Sequence, residues 1–178
     1  MFAACFIGCS RHNGPTQSDK QQISQTDPTF VAAQNGDADA QYTIGYFYYN
    51  GVGVAKSFNE AINWYQKSAA QGYAPAQHNL AWMLSRGEGV AQDYHEALKW
   101  YLKSAEQGSA EAQHKIGFFY WNGLDVPRNY DEAFKWFLKA AQQGRAVSQF
   151  AVGTCYRTGF GVGKDDVEAY QGCLKLPS

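Results

Sequence analysis

The sequence copies itself every 36 residues, and no other feature constrains its fold as strongly. Two glycine columns keep this step: Gly36, Gly72, Gly108 and Gly144, and then Gly51, Gly87, Gly123 and Gly159. Three more columns share it: Gln41, Gln77, Gln113 and Gln149; Val54, Val90, Val126 and Val162; and Glu60, Glu96, Glu132 and Glu168. A fixed period of roughly 20–50 residues is typical of solenoids and repeat arrays. The chain is therefore expected to be a stack of similar units.

Each copy is predicted to form two helices. The first begins near the column of Ala40 and ends at the column of Gly51, because glycine readily takes the left-handed conformation just past a helix end. The second opens with a capping box such as Ser57-x-x-Glu60, in which the first side chain accepts a backbone N–H and the glutamate reaches back. The second helix ends at the Gly72 column. We predict an all-α, right-handed α-α superhelix (solenoid) of about four 36-residue helix-pair repeats.

The period also sets the expected boundaries. Asp27-Pro28 is typical of a helix start, with an N-cap followed by proline at the first helical position. The solenoid is predicted over residues 27–178, with a half-repeat at 27–36 and repeats at 37–72, 73–108, 109–144 and 145–178.

The second copy, AQHNLAWMLSRGEGVAQDYHEALKWYLKSAEQG (76–108), resembles a Sel-one-like repeat (SLR), a relative of the tetratricopeptide repeat. The similar features are the A-x-x-x-L-A core, the G-x-G-V loop, the D-Y-x-x-A motif and the W-Y-x-K-x-A-x-Q-G close. The copies depart from this pattern at Asp125, which replaces the second loop glycine, at Asp166, which replaces an aromatic residue, and in the last helix. The resemblance implies a scaffold in bacterial envelope assembly, signalling or host interaction.

The glycine-rich stretch GVGVAKS (51–57) has some features of a phosphate-binding loop, in which backbone N–H groups and a lysine hold phosphate. Four such loops occur, each between two predicted helices, and the lysine position varies: Lys56, Gln92, Arg128 and Lys164. A position that accepts glutamine is not holding a phosphate. With a net charge of −1, the chain also lacks an overall basic balance that would favour nucleic acid. We therefore predict no nucleotide, no nucleic acid and no cofactor.

Catalytic and metal-binding patterns are weak. The capping boxes account for the repeated glutamates, and HEALK (95–99) carries Lys99 where a zinc-protease motif needs a second histidine. His78 and His114 occupy one column, but adjacent repeats lie about a helix diameter of 10 Å apart, too far for a shared metal ion. We expect them to be surface or groove histidines, and we predict no metal site and no catalytic residues.

The alternative function is an enzyme. Cysteine-rich relatives within the resembled family, some credited with binding or hydrolysing β-lactams, imply a β-lactam-hydrolysing or peptidoglycan-active protein. Those relatives carry paired cysteines at each repeat junction, whereas this chain does not. It also lacks the Ser-x-x-Lys, Lys-Thr-Gly and Gly-x-Ser-x-Gly nucleophile motifs. The sequence therefore favours a protein that is not an enzyme.

The four cysteines lie near the two ends of the chain. Phe6–Ser10 resembles the cleavage box of bacterial lipoprotein signals, which predicts Cys9 as a lipidated residue and residues 1–26 as a truncated signal followed by a disordered tether. No basic residue precedes this short apolar run, so an ordinary disordered N-terminus is the alternative. The lipoprotein interpretation predicts a periplasmic or outer-membrane-anchored protein, and the alternative is a cytoplasmic one. Cys155 and Cys173 replace core residues and are either buried thiols or a disulfide.

A variable stripe is the candidate binding surface. Tyr42, Tyr46 and Tyr49 lie at i, i+4 and i+7, hence on one face of the first helix. Their columns stay large or aromatic while changing identity, and the predicted partner-binding residues are Tyr42, Tyr46, Tyr49, His78, Trp82, His114, Phe118, Trp121 and Arg157. In stacked repeats the first helices line a concave surface, and Tyr, Trp and Arg dominate interface hot spots. We predict a non-catalytic scaffold or adaptor that binds a protein or peptide there, with Trp82 and Trp121 as anchors. Packing of this stripe between repeats is the alternative.

Overall fold

A computed structural model describes residues 26–169 of the chain. The predicted lipidation site Cys9, nearly all of the predicted tether, Cys173 and the end of the fourth repeat lie outside the described residues. The predictions made for those positions therefore stay predictions.

The described residues form a chain of helical hairpins. The helices are α1 (Pro28–Gln34), α2 (Ala38–Asn50), α3 (Phe58–Ala70), α4 (Ala74–Arg86), α5 (Tyr94–Glu106), α6 (Ala110–Asn122), α7 (Tyr130–Gln142) and α8 (Ala146–Thr158). A further helical turn occupies residues 166–169, and residues 26–169 contain no strand. Each helix packs against the next one along the chain. The prediction of an all-α solenoid is confirmed.

The ends of the helices follow the sequence signals. Gly51, Gly87, Gly123 and Gly159 end the first helices with φ of 74°, 70°, 71° and 79°. Ser57 Oγ accepts the backbone N–H of Glu60 at 3.2 Å, and the same bond recurs where the other second helices begin. The other half of the predicted capping box differs: the N–H of Ser57 donates to the carbonyl of Tyr48 at 2.9 Å. That carbonyl belongs to the last turn of α2 and has no intrahelical partner. This one hydrogen bond therefore satisfies a carbonyl at the end of α2 and an N–H at the start of α3.

Small and large side chains alternate in the core. Ala61, Ala97 and Ala133 of the second helices are fully buried. Tyr65 and Tyr101 fill the space beside them and are 1% and 0% exposed. The three glutamines Gln41, Gln77 and Gln113 are also buried, although they are polar.

These buried glutamines form a hydrogen-bond ladder along the array. Their Nε2 groups donate to the carbonyls of Ala33, Ala69 and Ala105 at 3.1, 3.3 and 3.5 Å. Their Oε1 atoms accept from Nε2 of Gln71, Gln107 and Gln143 at 2.8, 2.9 and 2.8 Å. Each glutamine therefore connects the end of the preceding helix, its own helix and the end of the following helix.

The tryptophans of the second helices lie at the edge of the core. Trp64 is 9% exposed and makes an edge-to-face contact with Phe30, whereas Trp100 and Trp136 are half-buried. A lysine three residues later covers each ring: the Nζ atoms of Lys67, Lys103 and Lys139 lie 4.1, 3.9 and 4.2 Å from the ring centroids. Trp64 therefore belongs to a buried cluster, whereas Trp100 and Trp136 pack against one from its edge.

Candidate functional site

A cavity of about 390 Å³ opens along the first helices of the first three repeats. Its lining residues are Tyr42, Tyr46, Tyr49, Asn50, Tyr65, His78, Asn79, Trp82, Met83 and Lys115. They come from α2, α4 and α6, with Tyr65 contributed by α3. The structure therefore brings five of the predicted binding residues into one groove.

Tyrosines from α2 form one wall of this cavity. The ring of Tyr42 lies 5.7 Å from that of Tyr65 and 5.4 Å from that of Tyr73, so neighbouring helices hold it in place. The ring of Tyr49 lies 5.3 Å from Phe58. Tyr46 is 47% exposed, and so presents much of its ring to an incoming molecule.

Two cations lie near the ring of Trp82 on α4. The Nζ atom of Lys115 lies 4.1 Å from its ring centroid, and the Cζ atom of Arg86 lies 5.0 Å from it. Arg86 Nε also contacts Glu88 Oε1 at 2.7 Å, and the hydroxyl of Tyr49 donates to Glu88 Oε2 at 2.8 Å. These contacts fix the edge of the cavity between α2 and the loop after α4.

Lys115 sits in the cavity on α6 without a carboxylate partner among the described residues. Its pKa lies below the usual value, first because burial disfavours the charged ammonium and then because Arg145 and Arg86 are nearby. Arg145 in turn contacts Glu111, with Nη1 2.7 Å from Oε1.

The two predicted groove histidines are more enclosed than expected. Burial lowers the pKa of both His78 and His114 to about 4, so both are neutral at physiological pH. The ring of His78 lies 5.4 Å from that of Tyr101, while His114 lies 5.2 Å from Phe137. His78 lines the cavity, whereas His114 is not among the lining residues and packs against α7.

His114 Nδ1 also lies 2.9 Å from the hydroxyl oxygen of Ser148, a buried residue of the next repeat. In a close-packed helix interface a polar ring nitrogen needs such a partner. The contact explains why this histidine is held within the array, and it leaves His78 as the histidine that faces the cavity.

The remaining predicted residues separate into two groups. Phe118 of α6 is 47% exposed, and Arg157 near the end of α8 is also exposed. Trp121 lies instead among other rings, with centroids 4.9 Å from Tyr130 and 5.9 Å from Phe160. It also packs against Phe137, so its ring is largely occupied by the protein itself.

Lys115, Tyr65, Asn50, Asn79 and Met83 line the cavity but were missed from sequence. A usable signal existed for three of them. Asn79 and Lys115 share the column of Thr43, and Thr43, Tyr46 and Asn50 follow i, i+3 and i+7 spacing on the helix. Tyr65 could not be found in this way, because it belongs to a second helix and its ring enters the groove through tertiary packing.

An all-helical solenoid of hairpin repeats with an open groove along its first helices is a repeat scaffold. The chain belongs to the Sel1 repeat family, which matches residues 38–73, 74–109, 110–144 and 146–171. The matched segments keep the 36-residue step and begin about one residue later than the predicted repeats. The resemblance seen in the sequence is therefore confirmed.

Solved structures of repeat proteins are similar to this chain. A protective antigen of uropathogenic Escherichia coli with an SLR fold is 38% identical, with a TM-score of 0.81 over 83% of this chain and 32% of its own. A Sel1 repeat protein from Oxalobacter formigenes is 32% identical, with a TM-score of 0.80 over 83% of this chain and 59% of its own. A sel1-like repeat-containing protein of Acanthamoeba polyphaga mimivirus is 46% identical over 41 residues, which is 23% of this chain and 7% of that protein.

The chain thus spans from a small fraction to about three fifths of the length of these relatives. Proteins built from Sel1 repeats generally serve as non-catalytic scaffolds for protein interaction. Within residues 26–169, no helix has the length and apolar character needed to cross a membrane. The same part of the chain contains no group of three His, Cys, Asp or Glu residues arranged to hold a metal ion.

Proposed function

We propose that this chain is a non-catalytic scaffold or adaptor that binds an extended segment of a protein partner in the groove along α2, α4 and α6. The observation that carries the proposal is the cavity of about 390 Å³ lined by Tyr42, Tyr46, Tyr49 and Trp82. Aromatic rings supply large contact areas at low cost in side-chain entropy, and they are enriched at interface hot spots. The exposure of Tyr46 supports the same reading, because its ring is available without rearrangement.

Trp82 is suited to binding for a second reason. It belongs to none of the three buried apolar clusters of the described residues, and its ring contacts the mobile side chains of surface cations instead of the apolar core. Its truncation should cost little fold stability. Trp121 packs against the buried cluster formed by α7 and α8, so its truncation should lower stability.

The test is a random peptide library displayed on phage and selected on the full chain. Peptides selected on the groove should bind Tyr46→Ala and Trp82→Ala at least about tenfold more weakly, which corresponds to roughly 1.4 kcal/mol. Val52→Ala is the control, since Val52 is 44% exposed and lies in the loop after α2, outside the cavity. Selected peptides that bind both groove variants as well as the wild type would refute the assignment. Nitrocefin turnover by the purified chain would refute its non-catalytic character.

The anchor at Cys9 and a periplasmic or outer-membrane location remain part of this proposal. They rest on the residues before the cysteine alone, because Cys9 lies outside the described residues.

A further inference from the structure

The cavity carries one uncompensated positive charge. Lys115 is the charged residue among those that line it, because His78, with its pKa lowered to about 4, is neutral at physiological pH. No carboxylate of residues 26–169 lies within 4.0 Å of the Lys115 ammonium. Its close contact is the ring of Trp82, at 4.1 Å.

The carboxylates that contact the neighbouring arginines Arg86 and Arg145 are already engaged. Glu111 lies one helical turn before Lys115, but its Oε1 atom contacts Arg145 Nη1 at 2.7 Å. Glu88 contacts Arg86 at 2.7 Å and accepts the hydroxyl of Tyr49 at 2.8 Å. Both carboxylates therefore already contact an arginine, and neither of them contacts Lys115.

This arrangement is unfavourable in the empty groove. Burial and the two neighbouring cations lower the pKa of Lys115, which means that its charged form is less stable here than in water. An incoming carboxylate would compensate the charge where part of the water has already been removed, and such pairs are stronger than fully exposed ones. A second ammonium or guanidinium would be repelled.

Apolar surface lies on both sides of the charge. Tyr42 and Tyr46 of α2 stand on one side, across α4 from Lys115. On the other, Phe118 lies one turn after Lys115 on α6 and is 47% exposed, and Phe150 of α8 is 52% exposed. Phe150 occupies the same repeat column as Tyr42, so exposed rings continue the first-helix surface beyond Lys115.

We propose that the groove selects an extended peptide segment in which an acidic side chain pairs with Lys115 and large apolar residues flank it on both sides. The inference rests on the proposed function and specifies the chemistry of the partner. The acidic group belongs to an internal Asp or Glu, because the apolar surface continues past Lys115 toward Phe150 and a chain end would leave that surface uncovered. Tyr46 and Trp82 take the apolar residue on one side, and Phe118 takes the one on the other.

The experiment uses the phage-displayed random library on the full chain, selected in parallel on the wild type and on Lys115→Met. Wild-type selection should enrich Asp or Glu between two large apolar residues, and Lys115→Met should remove the acidic preference while retaining the apolar one. Lys115→Arg keeps the charge and should keep the preference. Lys103→Met is the matched control: Lys103 lies 3.9 Å from the ring of Trp100, in the same kind of contact but outside the groove.

One enriched peptide is then synthesised with blocked ends in matched forms that carry Glu, Gln or Lys at the acidic position. A fourth form stops before that position and ends in a free carboxylate. Fluorescence anisotropy should show about tenfold weaker binding of the Gln form to the wild type, or roughly 1.4 kcal/mol. The Glu and Gln forms should bind Lys115→Met equally, and added salt should reduce the difference between them on the wild type.

The outcomes separate this inference from the proposed function. Enriched peptides without an acidic preference that still lose affinity for Tyr46→Ala would overturn the inference alone. Tighter binding of the free-carboxylate form than of the internal Glu form would overturn the internal position. Failure of the wild type to enrich any peptide that depends on Tyr46 would overturn both proposals. Loss of all binding in both Lys115→Met and Lys115→Arg, with unchanged helicity, would also refute a role limited to charge.

Discussion

Replacing Gln77 with leucine tests whether the buried glutamine ladder holds the repeats in register. Gln77 is 4% exposed, its Nε2 group donates to the carbonyl of Ala69 at 3.3 Å, and its Oε1 atom accepts from Gln107 at 2.9 Å. Leucine has a similar size and no polar atom. The substitution therefore removes two hydrogen bonds between three helices while changing the packing little.

The expected loss in the free energy of unfolding depends on which hydrogen bonds the former partners of Gln77 keep. The carbonyl of Ala69 still accepts the N–H of Gly72 at 3.0 Å, and Nε2 of Gln107 still donates to the carbonyl of Gly72 at 2.9 Å. Because each group keeps one hydrogen bond, the large penalty for a buried polar group without any partner does not apply. Two hydrogen bonds at a net value of about 0.5–1.5 kcal/mol each give an expected loss of roughly 1–3 kcal/mol in the free energy of unfolding.

The assay is urea unfolding followed by far-ultraviolet circular dichroism, together with a thermal melt. For a chain of this size the loss corresponds to a melting temperature lower by roughly 2–12 °C. Gln66→Leu is the control, since Gln66 is exposed on α3 and a surface change should stay within about 0.5 kcal/mol. If Gln77→Leu is as stable as the control or more stable than the wild type, the ladder is not a stabilising element and the reasoning fails.

Two further predictions concern the buried histidines and the tryptophan column. Burial lowers the pKa of His78 and His114 to about 4, whereas the pKa of an unfolded histidine is about 6.5. As pH falls, the unfolded chain therefore binds protons before the folded one does. The free energy of unfolding should decline as pH falls from about 6.5 to about 4. Melting temperatures at about pH 7 and about pH 5 should differ less in the double His→Gln variant, while the exposed, non-titrating Gln66→Leu control should keep the wild-type difference; an equal difference in all three proteins would contradict this. Trp64→Ala should cost about 3–5 kcal/mol, because the ring is buried against Phe30. Trp100→Ala should cost less because that ring is half-buried, and equal urea midpoints for the two variants would show that the assigned burial does not set the cost.

Much of the fold could be predicted because its signals are local. The period gives the number of hairpins, and the Gly51 and Ser57 columns mark where helices end and begin. Both signals depend only on the conformational and capping preferences of a few adjacent residues, and these preferences can be read from the residue types. The partner of the N-cap N–H could not be predicted in the same way. It is the carbonyl of Tyr48, which only the folded loop brings within 2.9 Å.

The site could be predicted in outline only. Helical spacing placed Tyr42, Tyr46 and Trp82 on the first-helix face, and the structure places them in one cavity. Helical spacing did not reveal that Trp121 packs against Tyr130 and Phe160, since those rings come from α7 and from the loop after α8.

The sequence by itself determined the repeat, the helices, their ends and the face on which the variable aromatic residues stand. These properties follow from a short-range periodicity of the backbone and from capping chemistry. Only the tertiary structure decided which members of that face are free and which are covered: Tyr46 stays exposed, His114 packs against Phe137, and Lys115 enters the cavity without a carboxylate partner among the described residues. The physical reason is that burial and charge compensation depend on side chains from other helices of the same or the next repeat. These lie about 20 to 40 residues away along the chain and within a few ångströms in space.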